Sequence, residues 1–286
     1  NVTSAADGTI AIGAKALKAL TSGGGNIAVG FEAGLLVTDN TDNVMIGHQA
    51  FNASDSGDSE NVVIGSNAGG AVNHGSSDGN VLIGLSAGLG GAAALADCVV
   101  IGKNAMKSTA GNAQSGTVAI GKDALTSLTS GAKNVAIGFQ SQIYQTDGTN
   151  NVSLGYKALR NADNGESGNV VIGSEAGMDI NHASSDGNVI IGGTAGTGGA
   201  AAMTGVVAIG QHAMNSTAGN AQTGTVAIGK EALTALTTGT GTTAIGYQAL
   251  TANTIGIFNT AIGYQALVSN VDGSTNTAVG YLALTT

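Results

Sequence analysis

"TVAIGKDALTSLTSGAKNVAIGF" runs from Thr117 to Phe139 and admits three readings. Its Gly121-Lys122 pair has the look of a phosphate-cradling loop, "IGKDAL" that of one hexapeptide of an acyltransferase β-helix, and the whole stretch that of one scaffold rung plus the start of the next. The surrounding chain chooses among them. Aligning the Ile, Val or Leu followed by Gly and then, three residues on, by Ala or Ser that recurs at steps of 17 to 19 residues gives sixteen markers. Their glycines are Gly13, Gly30, Gly47, Gly65, Gly84, Gly102, Gly121, Gly138, Gly155, Gly173, Gly192, Gly210, Gly229, Gly246, Gly263 and Gly280.

The steps are 17, 17, 18, 19, 18 and 19 residues, the same six again, and then 17, 17 and 17. Six steps make a 108-residue unit, which explains why "NHGSSDGNVLIGLSAG" from Asn73 reappears as "NHASSDGNVIIGGTAG" from Asn181. One coil has been duplicated into a six-coil block, approximately 13–120, then into a second, 121–228, and a partial third, 229–286. A short period with one β-branched run per copy predicts a single repeat domain, 1–286, of all-β class: a parallel β-solenoid of about 16 coils of 17–19 residues.

The residue before each marker Gly is Ile in thirteen coils, with Val29, Val279 and Leu154 in the rest, and two residues earlier stands Val or Ile, or Thr in Thr243, Thr260 and Thr277. Period-two spacing puts these on one face, which is expected to be the core. The residue between them points the other way. It is Ala11, Ala28, Met45, Val63, Leu82, Val100, Ala119, Ala136, Ser153, Val171, Ile190, Ala208, Ala227, Ala244, Ala261 and Ala278, so fifteen of sixteen are apolar. A strand apolar on both faces is a strand buried on both faces. These fifteen therefore form a predicted oligomer-interface stripe, longer than the apolar patch a soluble monomer exposes, and the chain's first partner is itself, most economically as a homotrimer.

Other rung positions predict tight turns. Asn precedes the strand in ten coils, where its side chain can bond turn backbone and tolerate positive φ. Three residues after the marker Gly comes Ala, with Ser141 the exception, and next Leu, Met, Phe or Gly, with Gln142 the exception, starting a second short strand. Loops such as "DSGDSE" and "SSDG" are expected to absorb length variation on the outer surface.

Composition narrows the function classes. There are 48 glycines, no proline or tryptophan, 3% aromatic and 9% charged residues, against about 25% charged in an average soluble domain. A net charge of −9 with nine Lys and Arg argues against a nucleic-acid partner, whose binding needs clustered basic residues. No run of apolar residues is long enough for membrane insertion. Cys98 is alone, so no intrachain disulfide forms. The opening "NVTSAADGTIAIG" starts in mid-pattern, as expected of a portion of something longer.

"NVAIGFQS", "TVAIGKDAL", "NTAIGYQAL" and "NTAVGYLAL" resemble the coils of YadA-like trimeric autotransporter adhesin heads and, more closely, the "NTAIGYQAL" arrays of phage tail fibre and tail-fibre-like proteins. The resemblance covers nearly the whole chain. It implies a left-handed β-roll wound into a trimer, attachment or receptor recognition as the role, a host cell-surface receptor or glycan as partner, and a virion tail fibre or the cell surface as location. The adhesin heads use a shorter coil, so none of their binding residues carries over.

No residue set predicts chemistry, a cofactor or a metal. Gly121-Lys122, Gly102-Lys103 and Gly229-Lys230 lack the spacing and the helix of a phosphate loop, and Lys122 reads as an exposed variable position. One hexapeptide phrase per coil falls short of a transferase, which would also need a catalytic His over a cofactor. His48, His74, His182 and His212 read as solvated loop residues, and His74 and His182 stand a whole block apart. Asp78-Gly79, Asp147-Gly148, Asp186-Gly187 and Asp272-Gly273 read as turns rather than calcium ligands. Cys98 reads as an apolar filler. Tyr247, Tyr264 and Tyr281 share one rung position and form a candidate surface aromatic ladder.

The expected function is thus non-enzymatic: the shaft of a viral tail fibre or similar structural fibre that mediates or projects host-surface attachment. The alternatives are a bacterial trimeric surface adhesin, an ice- or glycan-binding β-solenoid and, last, a hexapeptide-type acyltransferase. An ice-binding surface would need outward ladders of Thr, and Thr243, Thr260 and Thr277 are expected to face the core.

Overall fold

The computed structural model describes residues 6–54, 56–91, 93–109, 113–163, 165–199, 201–216 and 221–285. Among them there is no helix, and each coil contributes one three-residue strand to a parallel sheet. The chain divides into two compact units, 1–147 and 148–286, so the division falls inside the second sequence block. In the first unit the strands are Ile10–Ile12, Ile27–Val29, Val44–Ile46, Val62–Ile64, Val81–Ile83, Val99–Ile101, Val118–Ile120 and Val135–Ile137. They pair in chain order with the residue-to-residue register that the marker alignment implies: Ile12 opposite Val29, Val63 opposite Leu82, Ile101 opposite Ile120.

The second unit repeats the plan with Val152–Leu154, Val170–Ile172, Val189–Ile191, Val207–Ile209, Val226–Ile228, Thr243–Ile245, Thr260–Ile262 and Thr277–Val279. Its pairings are again parallel and in register, as Val171 opposite Ile190 and Ala261 opposite Ala278 show. Each unit thus closes seven turns, fourteen in all, of a parallel β-solenoid. Five coils add two-residue strands, Leu95–Ala96 with Gln114–Ser115 and Met203–Thr204 with Gln222–Thr223 and Gly239–Thr240.

The marker glycine ends each strand for two reasons. Gly102 sits at φ +137, and a Cβ there would lie 2.6 Å from the carbonyl oxygen of Gly121 in the next coil, so a side chain is excluded both by backbone conformation and by coil stacking. A tight turn follows. The amide of the Ala three residues on donates to the marker carbonyl, as Ala124 N does to Gly121 O at 3.3 Å, and the intervening second residue has positive φ, +60 at Asp123. That is the pattern of a type II turn. The residue after Ala also has positive φ, whether Gly or not: Gly88 +49, Leu125 +48, Met214 +51. This second left-handed residue continues the turn, so the second short strand expected there does not form.

The assignment of faces is the reverse of the sequence expectation. The middle strand residues Ala28, Met45, Val63, Leu82, Val100, Ala119, Ala136, Val171, Ile190, Ala208, Ala227, Ala244, Ala261 and Ala278 point into the chain's own roll and are buried there; only Ala11, in the first coil described, is exposed. The flanking Val, Ile and Thr residues, expected to be core, lie outside. Shared interior volume is the physical reason. The middle strand residue and the left-handed turn residue six positions later share one space, and in most coils bulk at one goes with smallness at the other, although Met45 with Phe51 and Val100 with Met106 are both large and buried.

Leu82 goes with Gly88 and Ile190 with Gly196, whereas Ala119 goes with Leu125 and Ala208 with Met214. A Cβ on Gly88 would lie 2.6 Å from Leu82 Cδ2, and one on Gly196 would lie 3.0 Å from Ile190 Cδ1. Two β-branched columns have no such slack, and the interior has no room for them.

The interior has a polar side as well. Asn26, Asn43, Asn61 and Asn80 are buried one above another, each amide donating to the side-chain oxygen of the Asn in the coil before: Asn43 to Asn26 at 3.2 Å, Asn61 to Asn43 at 3.1 Å, Asn80 to Asn61 at 2.9 Å. The same amides reach turn carbonyls, as Asn61 Nδ2 does to Ser77 O at 2.8 Å. Asn151, Asn169 and Asn188 repeat the ladder in the second unit. None of these asparagines has positive φ; the turn role expected for them is performed by the side chain alone. The loops expected outside also turn partly inward, since Asp58, Ser77 and Ser185 are buried; residue 55 of "DSGDSE" lies outside the described residues.

Candidate functional site

The type II turn after each marker glycine projects its two central side chains away from the interior, and in-register stacking turns them into columns. The column directly after the glycine contains Phe31 and His48, whose rings stack at 5.4 Å, and Lys122, whose Nζ lies 5.4 Å from the Phe139 ring centroid. In the second unit it contains Lys230 and the three expected tyrosines. Tyr247 and Tyr264 stack at 5.2 Å between centroids and 19° between planes, Tyr264 and Tyr281 at 5.3 Å and 21°. The tyrosine ladder is therefore formed, and its rings are exposed.

The neighbouring column is polar and was not singled out from sequence. Lys15 Nζ lies 2.8 Å from Glu32 Oε1, and Gln49 Nε2 donates to Glu32 Oε2 at 2.9 Å, so the Lys15 and Gln49 donors hold the Glu32 carboxyl below the usual range. Beside the tyrosines, Gln265 Nε2 donates to Gln248 Oε1 and Gln248 Nε2 to Glu231 Oε2, both at 2.7 Å. The Gln248 donor, and after it the Lys230 charge, lowers the Glu231 carboxyl in the same way.

The second missed feature is the outer face of the strands. In each unit two columns of β-branched side chains run side by side, Val62, Val81 and Val99 with Ile64, Ile83 and Ile101 in the first, Val170, Val189 and Val207 with Ile172, Ile191 and Ile209 in the second. They are half-buried. In the last three coils Thr243, Thr260 and Thr277 occupy one of these columns, outward rather than toward the core. The pairing of large strand residues with glycine turns, Leu82 with Gly88, was the signal that could have set the faces correctly.

The remaining sequence candidates are not brought together. Lys103, Lys122, Lys230, His48, His74 and His182 are exposed, and His212 Nδ1 meets Thr194 Oγ1 at 2.6 Å. Among the described residues no group of three His, Cys, Asp or Glu is placed to hold a metal ion, and no helix is long and apolar enough to cross a membrane. Cys98 takes an asparagine's place at the end of the ladder, its amide donating to Asn80 Oδ1 at 3.0 Å, and burial pushes its thiol up to about 11.

Among the described residues one carboxylate is buried in the first unit. Asp58 Oδ2 accepts from Ser54 Oγ at 2.9 Å and Oδ1 from the Ser77 amide at 2.9 Å, while Asn40 Nδ2 donates to Ser54 Oγ at 2.7 Å. Burial outweighs these bonds and raises the Asp58 carboxyl. Comparison with known protein families, curated proteins and solved structures finds no match for this chain.

Proposed function

We propose that this chain is the shaft of a homotrimeric fibre, a left-handed β-roll that mediates or projects attachment to a host surface, as a viral tail fibre or a bacterial surface adhesin does. The observation that carries this reading is the outer strand face. Each unit presents eight stacked strands whose outward side chains are Val, Ile, Leu or Thr and never charged, a continuous stripe of the kind that soluble chains cover with a partner. An identical chain supplies an identical stripe with the same coil spacing, so aliphatic rows of one copy can seat between rows of another along the whole contact. The interface is then Val62, Ile64, Val81, Ile83 and their equivalents, in place of the middle strand residues.

Sedimentation and mass measurement of the isolated chain test the proposal. The expected result is a trimer at micromolar concentration, which Ile64→Asp converts to a folded monomer with unchanged far-ultraviolet circular dichroism. A wild-type chain that runs as a monomer at that concentration overturns it. A second reading, an ice-binding surface, draws on the outward Thr243, Thr260 and Thr277 column; thermal hysteresis by the wild-type chain, lost in Thr260→Val, is its test.

A further inference from the structure

The tyrosine and glutamine columns of the last coils form a surface that the fibre reading does not use. We propose that Tyr247, Tyr264 and Tyr281 together with Gln248 and Gln265 bind a neutral, linear, β-linked polysaccharide laid along the solenoid axis. The proposal deepens the attachment reading and rests on it for why such a polymer is met.

Three observations point to this ligand. The surface is built in advance: Tyr and Gln are the two central residues of successive type II turns, and the backbone of each turn is tied to the next by Gln248 N to Lys230 O at 3.0 Å, Gln265 N to Tyr247 O at 2.9 Å and Leu282 N to Tyr264 O at 2.9 Å. Little side-chain freedom remains to be lost on binding. Second, the stacked rings cover one another's faces, so what they offer a ligand lying across them is a row of ring edges and phenol hydroxyls at intervals of 5.2 and 5.3 Å. Third, each glutamine uses one of its two amide hydrogens within its ladder, at 2.7 Å, so one donor per amide is not used by that bond.

Spacing and charge decide among polymers. An extended peptide repeats its side chains on one face every ~6.6–6.8 Å and falls out of step with the tyrosines within three rungs. Nucleic acid is repelled by a chain of net charge −9. An extended β-linked pyranose chain advances by about one tyrosine interval per sugar, and its equatorial hydroxyls match paired phenol and amide groups. Neither column holds a charge between Tyr247 and Leu282, so a neutral glycan is the fitting class.

Calorimetric titration of the full chain with cello-, xylo- and chito-oligosaccharides of two to six sugars tests this, with maltohexaose as an α-linked control. The expected result is affinity for at least one β-linked series that rises with length from two sugars to at least four, is at least tenfold weaker for maltohexaose, and falls at least tenfold in both Tyr264→Ala and Gln265→Ala. No binding by any β-linked series at millimolar concentration, equal binding of maltohexaose, or unchanged affinity in either variant overturns it. Sizing the same samples keeps the two readings apart, because a trimer that binds no glycan defeats only the site, and a monomer that binds defeats only the fibre.

Discussion

At the scale of single residues, the interior is decided by a few groups whose alternatives do not fit. Asp58 and Glu166 are the two acidic residues buried among the described residues, Asp58 in the first unit. The Asp58 carboxyl is raised, so between its ordinary value and its native one the folded state binds more protons than the unfolded chain. Stability of the first unit is therefore expected to rise as pH falls through the native Asp58 pKa, and to lose that increment as pH rises again. Asp58→Asn should remove this dependence, which chemical denaturation from pH 4 to 7 will show; an unchanged slope would contradict the assignment. Asn61→Ala strips partners from Asn80 and from the Ser77 carbonyl at once and is expected to cost on the order of 1–3 kcal/mol for each buried group left unsatisfied. The asparagine positions were legible in the chain, but their stacking was not, because an amide before a strand reads equally well as a turn residue.

At the scale of the coil, the governing rule is the sharing of volume between strand centre and turn. Leu82→Ala should cost roughly 2–5 kcal/mol. Gly88→Leu should recover part of this in the double variant, since Leu125 already occupies the same turn position at φ +48. A double-mutant cycle in urea measures the coupling, and additivity of the two changes would refute the shared space. One coil fills this space with polar side chains. Ser141, Gln142 and Gln145 are buried where the coil before holds Ala124, Leu125 and Leu128, and the apolar core of the first unit stops at Ala136. Gln142→Leu restores the pairing with Ala136 and is expected to stabilise the first unit by on the order of 1 kcal/mol, read as a higher thermal midpoint.

At the scale of the whole molecule, each unit is a stack in which a coil is supported by the coils before and after it, so stability is close to a sum of coil and interface terms. Inner and outer substitutions should then separate cleanly. Val63→Asp places an unpaired charge in the roll and is expected to unfold the first unit, since an uncompensated buried charge costs several kcal/mol. Ile64→Asp, one residue on, changes only the outer stripe and should leave folding intact while abolishing assembly. Circular dichroism and sedimentation on the pair test the face assignment directly, and equal loss of folding in both would undo it.

The sequence by itself determined the period, the parallel pairing and the register, because the marker Gly tolerates neither a side chain nor a shift: Gly102 must pack on Gly121 and no other residue can. It also determined that Tyr247, Tyr264 and Tyr281 stack, since equal 17-residue steps leave no other arrangement in a solenoid. Which face of the strand turns inward was decided only in three dimensions. Both faces are apolar, so hydrophobicity carries no sign, and the choice falls to volume: a narrow roll closed by left-handed turns takes the one middle residue of each strand, most often Ala with a large turn residue or a large residue with Gly, and leaves the paired Val and Ile columns outside.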